Sequence, residues 1–265
     1  GGRACCAAAR RVQARTARCG GLAQSAAGKL CVGSATVHKP GFALTGREAP
    51  AVADLVFRLE GIPLALELAA ARVRSLSVAD INKRLNDRYK ILTGGDRTLQ
   101  ARQQTLRALV DWSYDLPEEN EQVLLARLSV FAGGSDLAAI EAICSAEPLT
   151  PEDALDIVTS LVEKSLLRTE DGEDGARYRM LETIRDYGRE KLVLRDEQIS
   201  TKTAHCDYFL TFAKASNRGL QGPEQGQWTA RIENSLDDLR AAINLALEGV
   251  VDSRIAVKIA VALMG

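Results

Sequence analysis

A mainly α fold carrying one β-hairpin is predicted, and three observations predict it. From Pro50 onward, apolar residues recur at the three- and four-residue spacing of amphipathic helices. A single pair of short strand-like runs interrupts them, flanking an acidic turn that contains glycine. Aromatics make up only 5% of the 265 residues while Ala and Leu recur throughout, which favours helices over a β-sandwich.

The elements follow in order. Val52, Leu55, Val56 and Leu59 form one helical face, closed by Gly61. Ile62-Pro63 opens a second helix, with Pro at an early position where its missing N–H is harmless. Ser77-Val78-Ala79-Asp80 resembles a capping box and starts a third helix through Ile81 and Leu85. Thr93-Gly94-Gly95-Asp96 reads as a loop, and a helix runs from Gln103 to Ser113. Leu116-Pro117-Glu118-Glu119 restarts the chain with acids in the first turn, where the helix dipole favours them, and Gly133-Gly134 stops that helix. Asp136 to Cys144 makes a short helix, and Thr150-Pro151-Glu152-Asp153 begins another through Leu161. Ser165–Thr169 and Arg177–Leu181 read as two strands around the turn 170–175, and a helix from Glu182 to about Leu194 follows.

Three helices, a hairpin and a closing helix amount to a winged-helix pattern with a β-hairpin wing. Beyond it, helical runs from Thr203, through the Trp228, Ile232, Leu236, Leu239 and Ile243 stripe, and near Asp252 suggest the start of a superhelical, TPR-like array. The expected organisation is an atypical, disordered basic segment over 1–47, a small helical domain over 48–100, a winged-helix domain over 101–198 and the array over 199–265.

Composition narrows the functional classes. Net charge is -1, so no global basic field draws the chain to nucleic acid or an anionic membrane. No stretch reaches the roughly 18 to 20 apolar residues that span a bilayer, and Ile255 to Met264 is interrupted by Lys258. A cytoplasmic location without membrane partners is expected. Cys5, Cys6, Cys19 and Cys31 crowd the first stretch while Cys144 and Cys206 stand alone, which forms neither a disulfide framework nor a metal pair. His38 and His205 are the two histidines, and no Ser or Cys has a recognisable nucleophile context.

Residues 1–47 contain no Asp or Glu, yet carry Arg3, Arg10, Arg11, Arg15, Arg18, Lys29, Lys39 and Arg47. Three readings compete: a basic arm for nucleic acid, a transit-like peptide, or a reading frame foreign to the ancestral protein. The pairing of Cys and Arg with Ala and Gly favours the last. Gly28-Lys29 fails as a phosphate-binding loop, because Ala23 stands where the first glycine belongs and Leu30 where the magnesium-binding hydroxyl must be.

At Gly61-Ile62-Pro63-Leu64-Ala65-Leu66-Glu67-Leu68 the sequence resembles the Gly-x-Pro segment of STAND-class ATPases, in particular bacterial AfsR-like and LuxR-type regulators. Leu92-Thr93-Gly94-Gly95, Arg102-Gln103-Gln104-Thr105-Leu106, Asp111-Trp112-Ser113-Tyr114 and Met180-Leu181-Glu182-Thr183 continue the match, which covers residues 37–265 in order. The resemblance implies a switch in which a nucleotide domain, a helical lid, a winged helix and a sensing array cooperate to control transcription. The helices of 48–100 then correspond to the lid, and Gly61 and Pro63 to positions lying against bound ATP or ADP. The phosphate loop and the acidic magnesium-binding strand are missing from this sequence, so no cofactor and no enzymatic activity are expected of this chain itself. The family's DNA-binding helix-turn-helix would lie beyond Gly265.

Two other functions remain in view, a stand-alone protein-interaction module using the helical array and a DNA-binding winged-helix protein. Charge argues against the latter. The candidate recognition helix carries Glu152, Asp153, Asp156 and Glu163 against Lys164, and the hairpin turn adds Glu170, Asp171, Glu173 and Asp174 against Arg168 and Arg177. DNA contact through this chain is therefore not expected, whereas a protein partner on the helical array is.

Overall fold

The computed structural model describes residues 25–46, 48–59, 61–92, 101–172 and 175–264. Two compact units emerge, one formed by the chain up to Leu116 with Glu163–Ser165 and the other by Pro117–Val162 with Leu166–Gly265. The predicted loop at Thr93–Asp96 lies outside the described residues.

The first unit is helical. Its helices are α1 (Ala26–His38), α2 (Ala49–Arg58), α3 (Pro63–Ala71), α4 (Val78–Leu92) and α5 (Ala101–Asp115), with a 3₁₀ turn at Arg72–Arg74. α3 sits at the centre, with Ala65, Leu66, Leu68, Ala69 and Ala70 all fully buried. A helix that is apolar all round must be covered on several sides, and α1 and α5 both pack on it. α1 corrects the expectation of a disordered segment through residue 47, for residues 25–46. Ser25 caps it by accepting from the Gly28 amide at 3.0 Å. Its buried face is Gly28, Cys31 and Ala35, small residues at helical spacing that allow close approach to α3. The Ser77–Asp80 box forms as expected: the Asp80 amide donates to Ser77 Oγ at 3.2 Å, and that hydroxyl donates to Asp80 Oδ2 at 2.6 Å. Asn82 then ties α4 to α2 by donating to the Ala51 carbonyl at 2.8 Å.

The helix predicted at the head of the winged helix, α5, packs on α3 and α4 and so falls within the first unit. The second unit begins after it with α6 (Glu119–Leu128), α7 (Leu137–Cys144) and α8 (Ala154–Glu163). The hairpin β1 (Arg168–Gly172) and β2 (Gly175–Arg179) follows, then α9 (Glu182–Leu194). α6 opens with a reciprocal capping box between Glu118 and Glu121. Buried Glu121 also accepts from Ser160 of α8, so one carboxylate closes a helix start and joins two helices. α9 crosses α6 at Gly188, where a Cβ would stand 2.9 Å from that of Ser129.

The hairpin differs from its predicted position. Strand pairing runs from Arg168↔Arg179 to Gly172↔Gly175, so the strands extend into what read as a six-residue turn. Leu166 and Leu167, predicted to open the first strand, are instead buried just ahead of it. All positions of β1 before Gly172 are exposed, so no inside–outside alternation marks its register. Ser135 adds an isolated bridge to Tyr178, with reciprocal amide–carbonyl bonds of 2.9 and 2.8 Å.

The helical C-terminal region consists of α10 (Gln198–Leu220), α11 (Gln225–Leu247) and α12 (Arg254–Met264), which pack on one another around Phe209, Ala213, Leu239, Ala242 and Ile259. α10 also packs on α7. At the α10–α11 turn, a Cβ on Gly219 would stand 2.2 Å from the Trp228 indole. Gly219→Ala is therefore expected to push Trp228 outward, with a red-shifted tryptophan emission and a stability loss of ~1–3 kcal/mol in thermal unfolding. Unchanged emission and melting would show that the turn opens without cost.

Candidate functional site

α7 and α8 are the helix pair of a helix-turn-helix, and each is started by a local cap. Asp136 accepts from the Ala139 amide at 2.8 Å. At Thr150 both the backbone amide and the hydroxyl donate to Asp153 Oδ2 at 2.9 Å. These two bonds, the amide first, hold the Asp153 carboxyl below the usual carboxylate range. Ala154, Ile157, Val158 and Leu161 turn α8 onto the core. Its solvent face is then Leu155, Asp156, Thr159 and Glu163, with exposed Glu152 just ahead. α8 itself puts acids and an apolar residue on that face but no cation, and its Glu163 is paired with Arg74 at 2.7 Å.

The wing does not supply what α8 lacks. Arg177 donates to the Gly134 carbonyl at 2.7 Å and to the Asn234 carbonyl at 2.9 Å, so it is spent within the fold. Arg179 pairs with Glu170 across the hairpin at 3.4 Å. DNA phosphates require several available cations on one face. Among the exposed residues of α8, the turn ahead of it and the hairpin, the acids Glu152, Asp156, Glu163, Glu170 and Asp171 outnumber the cations Arg168 and Arg179.

A more elaborate set of contacts lies at the loop after α6. Buried Asp238 of α11 accepts from the Ala132 amide at 2.6 Å and the Gly133 amide at 3.2 Å. Arg185 of α9 donates to the Ala132 carbonyl at 2.5 Å, and Arg177 serves the Gly134 carbonyl. Gly134 has φ +90°, and a Cβ there would meet the Tyr178 carbonyl at 3.0 Å, so glycine permits the strand bridge at Ser135. His205 of α10, fully buried between Phe131 and Phe209, places Nε2 3.2 Å from Asp238 Oδ1 and donates to it in the tautomer protonated there. The loop 132–135 is thus a joint that fixes the winged helix to the helical region through buried polar bonds.

A second tie is Arg127, which is 4% exposed at its side chain. It donates to the Cys144, Ala146 and Glu147 carbonyls at 2.9, 2.6 and 3.0 Å, and to Glu197 beside α10 at 2.6 Å. Sequence reading singled out neither Arg127 nor the role of Asp238. The available signal was Asp238 itself, a carboxylate spaced four and eight residues from Ala242 and Ala246 on one buried helical stripe.

Gly61 and Pro63, the carried-over nucleotide positions, lie in the turn between α2 and α3. Gly61 takes φ +68° and donates to the Val56 carbonyl at 3.2 Å, closing α2, and Pro63 is the exposed first residue of α3. A Cβ on Gly61 would touch that of Ala27 at 3.6 Å, so α1 covers this turn. The amides nearby do not fit a phosphate cradle: those of Gly28 and Lys29 are satisfied by the Ser25 hydroxyl and carbonyl at 3.0 and 2.9 Å. Among the described residues no cluster of His, Cys, Asp or Glu could hold a metal ion, and no helix is long and apolar enough to cross a membrane. Burial pushes the thiols of Cys31 and Cys206 up to about 11 and that of Cys144 up to about 12, which suits core residues rather than nucleophiles.

Comparison with known proteins agrees with this geometry. A family described as a winged helix-turn-helix domain matches residues 118–193, which span α6 to α9. The chain is similar to proteins of Mycobacterium tuberculosis and Mycobacterium bovis provisionally named HTH-type transcriptional regulators, at 45% identity over 204 residues. That alignment takes in 77% of this chain and 23% of each relative, so the chain spans about a quarter of their length. An uncharacterized M. tuberculosis protein is 38% identical over 165 residues, 62% of this chain and 42% of that protein.

Proposed function

We propose that this chain is a segment of a transcription regulator in which the winged helix serves as an internal packing module rather than as the DNA reader. The single observation that carries the reading is the solvent face of α8, which presents Leu155, Asp156 and Thr159 and contributes no cation of its own. The winged-helix match and the names of the mycobacterial relatives support the regulatory class. The finer reading is a STAND-type switch: the first unit is the helical lid, Gly61 and Pro63 face a nucleotide held mainly by other parts of the protein, and the helical region is a TPR-like sensor of a protein partner. In this reading DNA is contacted elsewhere in the regulator.

Fluorescence anisotropy of a labelled DNA duplex tests it. At about 50 mM salt, where phosphate contacts are strongest, the chain is expected to leave the duplex unbound. A saturable rise in anisotropy that weakens steeply as salt increases would make the winged helix a DNA reader and overturn the proposal.

A second reading, a protein-interaction module, is favoured by one observation. Val257 and Val261, 64% and 61% exposed, stand one turn apart on α12 and form an apolar strip.

A further inference from the structure

Where the end of α6 and one face of α9 meet α10 and α11, the second unit holds a cleft of about 270 Å³. Val130, Leu192, Ala241 and Leu245 give it an apolar lining. Its polar groups fall in two matched pairs. Gln198 and Lys202 stand one turn apart on α10, and Asn244 and Glu248 one turn apart at the end of α11. Among the described residues, none of these four side chains has a hydrogen-bond or ion-pair partner in the protein. The other cation of the cleft, Arg189, is already paired with Asp186 at 3.1 Å.

The cleft therefore offers one unpaired ammonium and one unpaired carboxylate on different helices, an amide one turn from each, and apolar side chains in the same lining. A simple anion would gain Lys202 but meet Glu248, and a simple cation would do the reverse. A neutral apolar molecule would cover both charges without pairing either, which is costly. A small zwitterion with an apolar tail satisfies all three surfaces. We propose that this cleft binds a free α-amino acid with an apolar side chain. Its carboxylate lies on Lys202 and Gln198, its ammonium on Glu248 and the Asn244 oxygen, and its side chain against Leu192 and Leu245. The volume falls just below the ~300–1,000 Å³ usual for larger ligands, which suits a molecule of this size. The winged helix supplies Val130 and Leu192 while α10 and α11 supply the polar pairs, so an occupant bridges the two parts beside the joint at Ala132.

Titration calorimetry of the full 265-residue chain with L-leucine tests the proposal. The expected dissociation constant is about 1 mM, the scale open to a ligand of roughly ten heavy atoms. Isocaproate, which lacks the ammonium, and isoamylamine, which lacks the carboxylate, are each expected to bind at least about tenfold more weakly, as are the variants Lys202→Glu and Glu248→Lys towards leucine. Both positions are on the surface of the cleft, and unchanged melting temperatures confirm that the variants fold. Isocaproate binding as tightly as leucine, either variant binding like the wild type, or no saturable heat at about ten times the expected constant overturns it.

Discussion

Arg127→Met is expected to lower the melting temperature of the second unit by roughly 6–12 °C. The guanidinium gathers three carbonyls from the turn after α7 and the Glu197 carboxylate, with bonds of 2.6 to 3.0 Å, at a side chain only 4% exposed. Methionine fills much of the same volume, so the loss is one of polar partners rather than of packing. Breaking a buried ion pair costs ~3–5 kcal/mol. Glu197 keeps 24% of its side-chain surface and can turn towards water, which places the effect near ~3 kcal/mol. For a unit of this size each kcal/mol moves the midpoint by about 2–4 °C. Lysine should not rescue it, because one compact ammonium cannot match a planar fork serving four acceptors. Thermal unfolding followed by circular dichroism decides the matter, and a midpoint within about 2 °C of the wild type would sink the assignment.

Local chemistry was legible in the sequence, and distant chemistry was not. Ser77–Asp80 and Thr150–Asp153 could be read because each box closes within four residues. The long helices could be read from their apolar period, and their ends lie within a few residues of the expected ones. α1 was missed because its buried stripe is Gly28, Cys31 and Ala35, residues too small to print an apolar face. α5 was legible as a helix but not as a member of the first unit, since periodicity says which face is covered and not by what. The hairpin register was hidden for the opposite reason: an exposed ribbon has no buried side to mark it.

The candidate sites divide the same way. The acids of α8 are surface residues, so their charge could be counted directly. The wing arginines could be counted too, but their commitment to carbonyls 43 and 57 positions away could not. Gly61 and Pro63 came through resemblance, and the structure gives both an ordinary role as helix stop and helix start. A turn can end one helix and face a ligand at once, so that role leaves the nucleotide proposal to be judged in the longer protein.

Asp238→Asn is the second large effect expected, and it tests whether the loop 132–135 joins the winged helix to the helical region. The two carboxylate oxygens divide the work: Oδ1 accepts from the Ala132 amide and Oδ2 from the Gly133 amide, across 106 and 105 positions of sequence. Asparagine has the same shape but only one accepting oxygen. In one orientation its NH₂ faces the Gly133 amide N–H, and in the other it faces both the Ala132 amide N–H and His205 Nε2. At least one buried donor is left without an acceptor whichever way the amide turns, at ~1–3 kcal/mol. Asp238→Ala abandons both amides and His205 Nε2 and should cost more, ~2–4 kcal/mol. His205 cannot compensate, because its Nδ1 is buried without a partner and its ring is held between Phe131 and Phe209. Hydrogen exchange separates this from general loosening: the Ala132 and Gly133 amides should lose protection first, while α11 and α12 retain theirs. If Asp238→Asn melts with the wild type and those amides stay protected, the loop is held by its arginine contacts alone. Selective loss at the loop instead makes Asp238 the residue that couples the helical region to the winged helix.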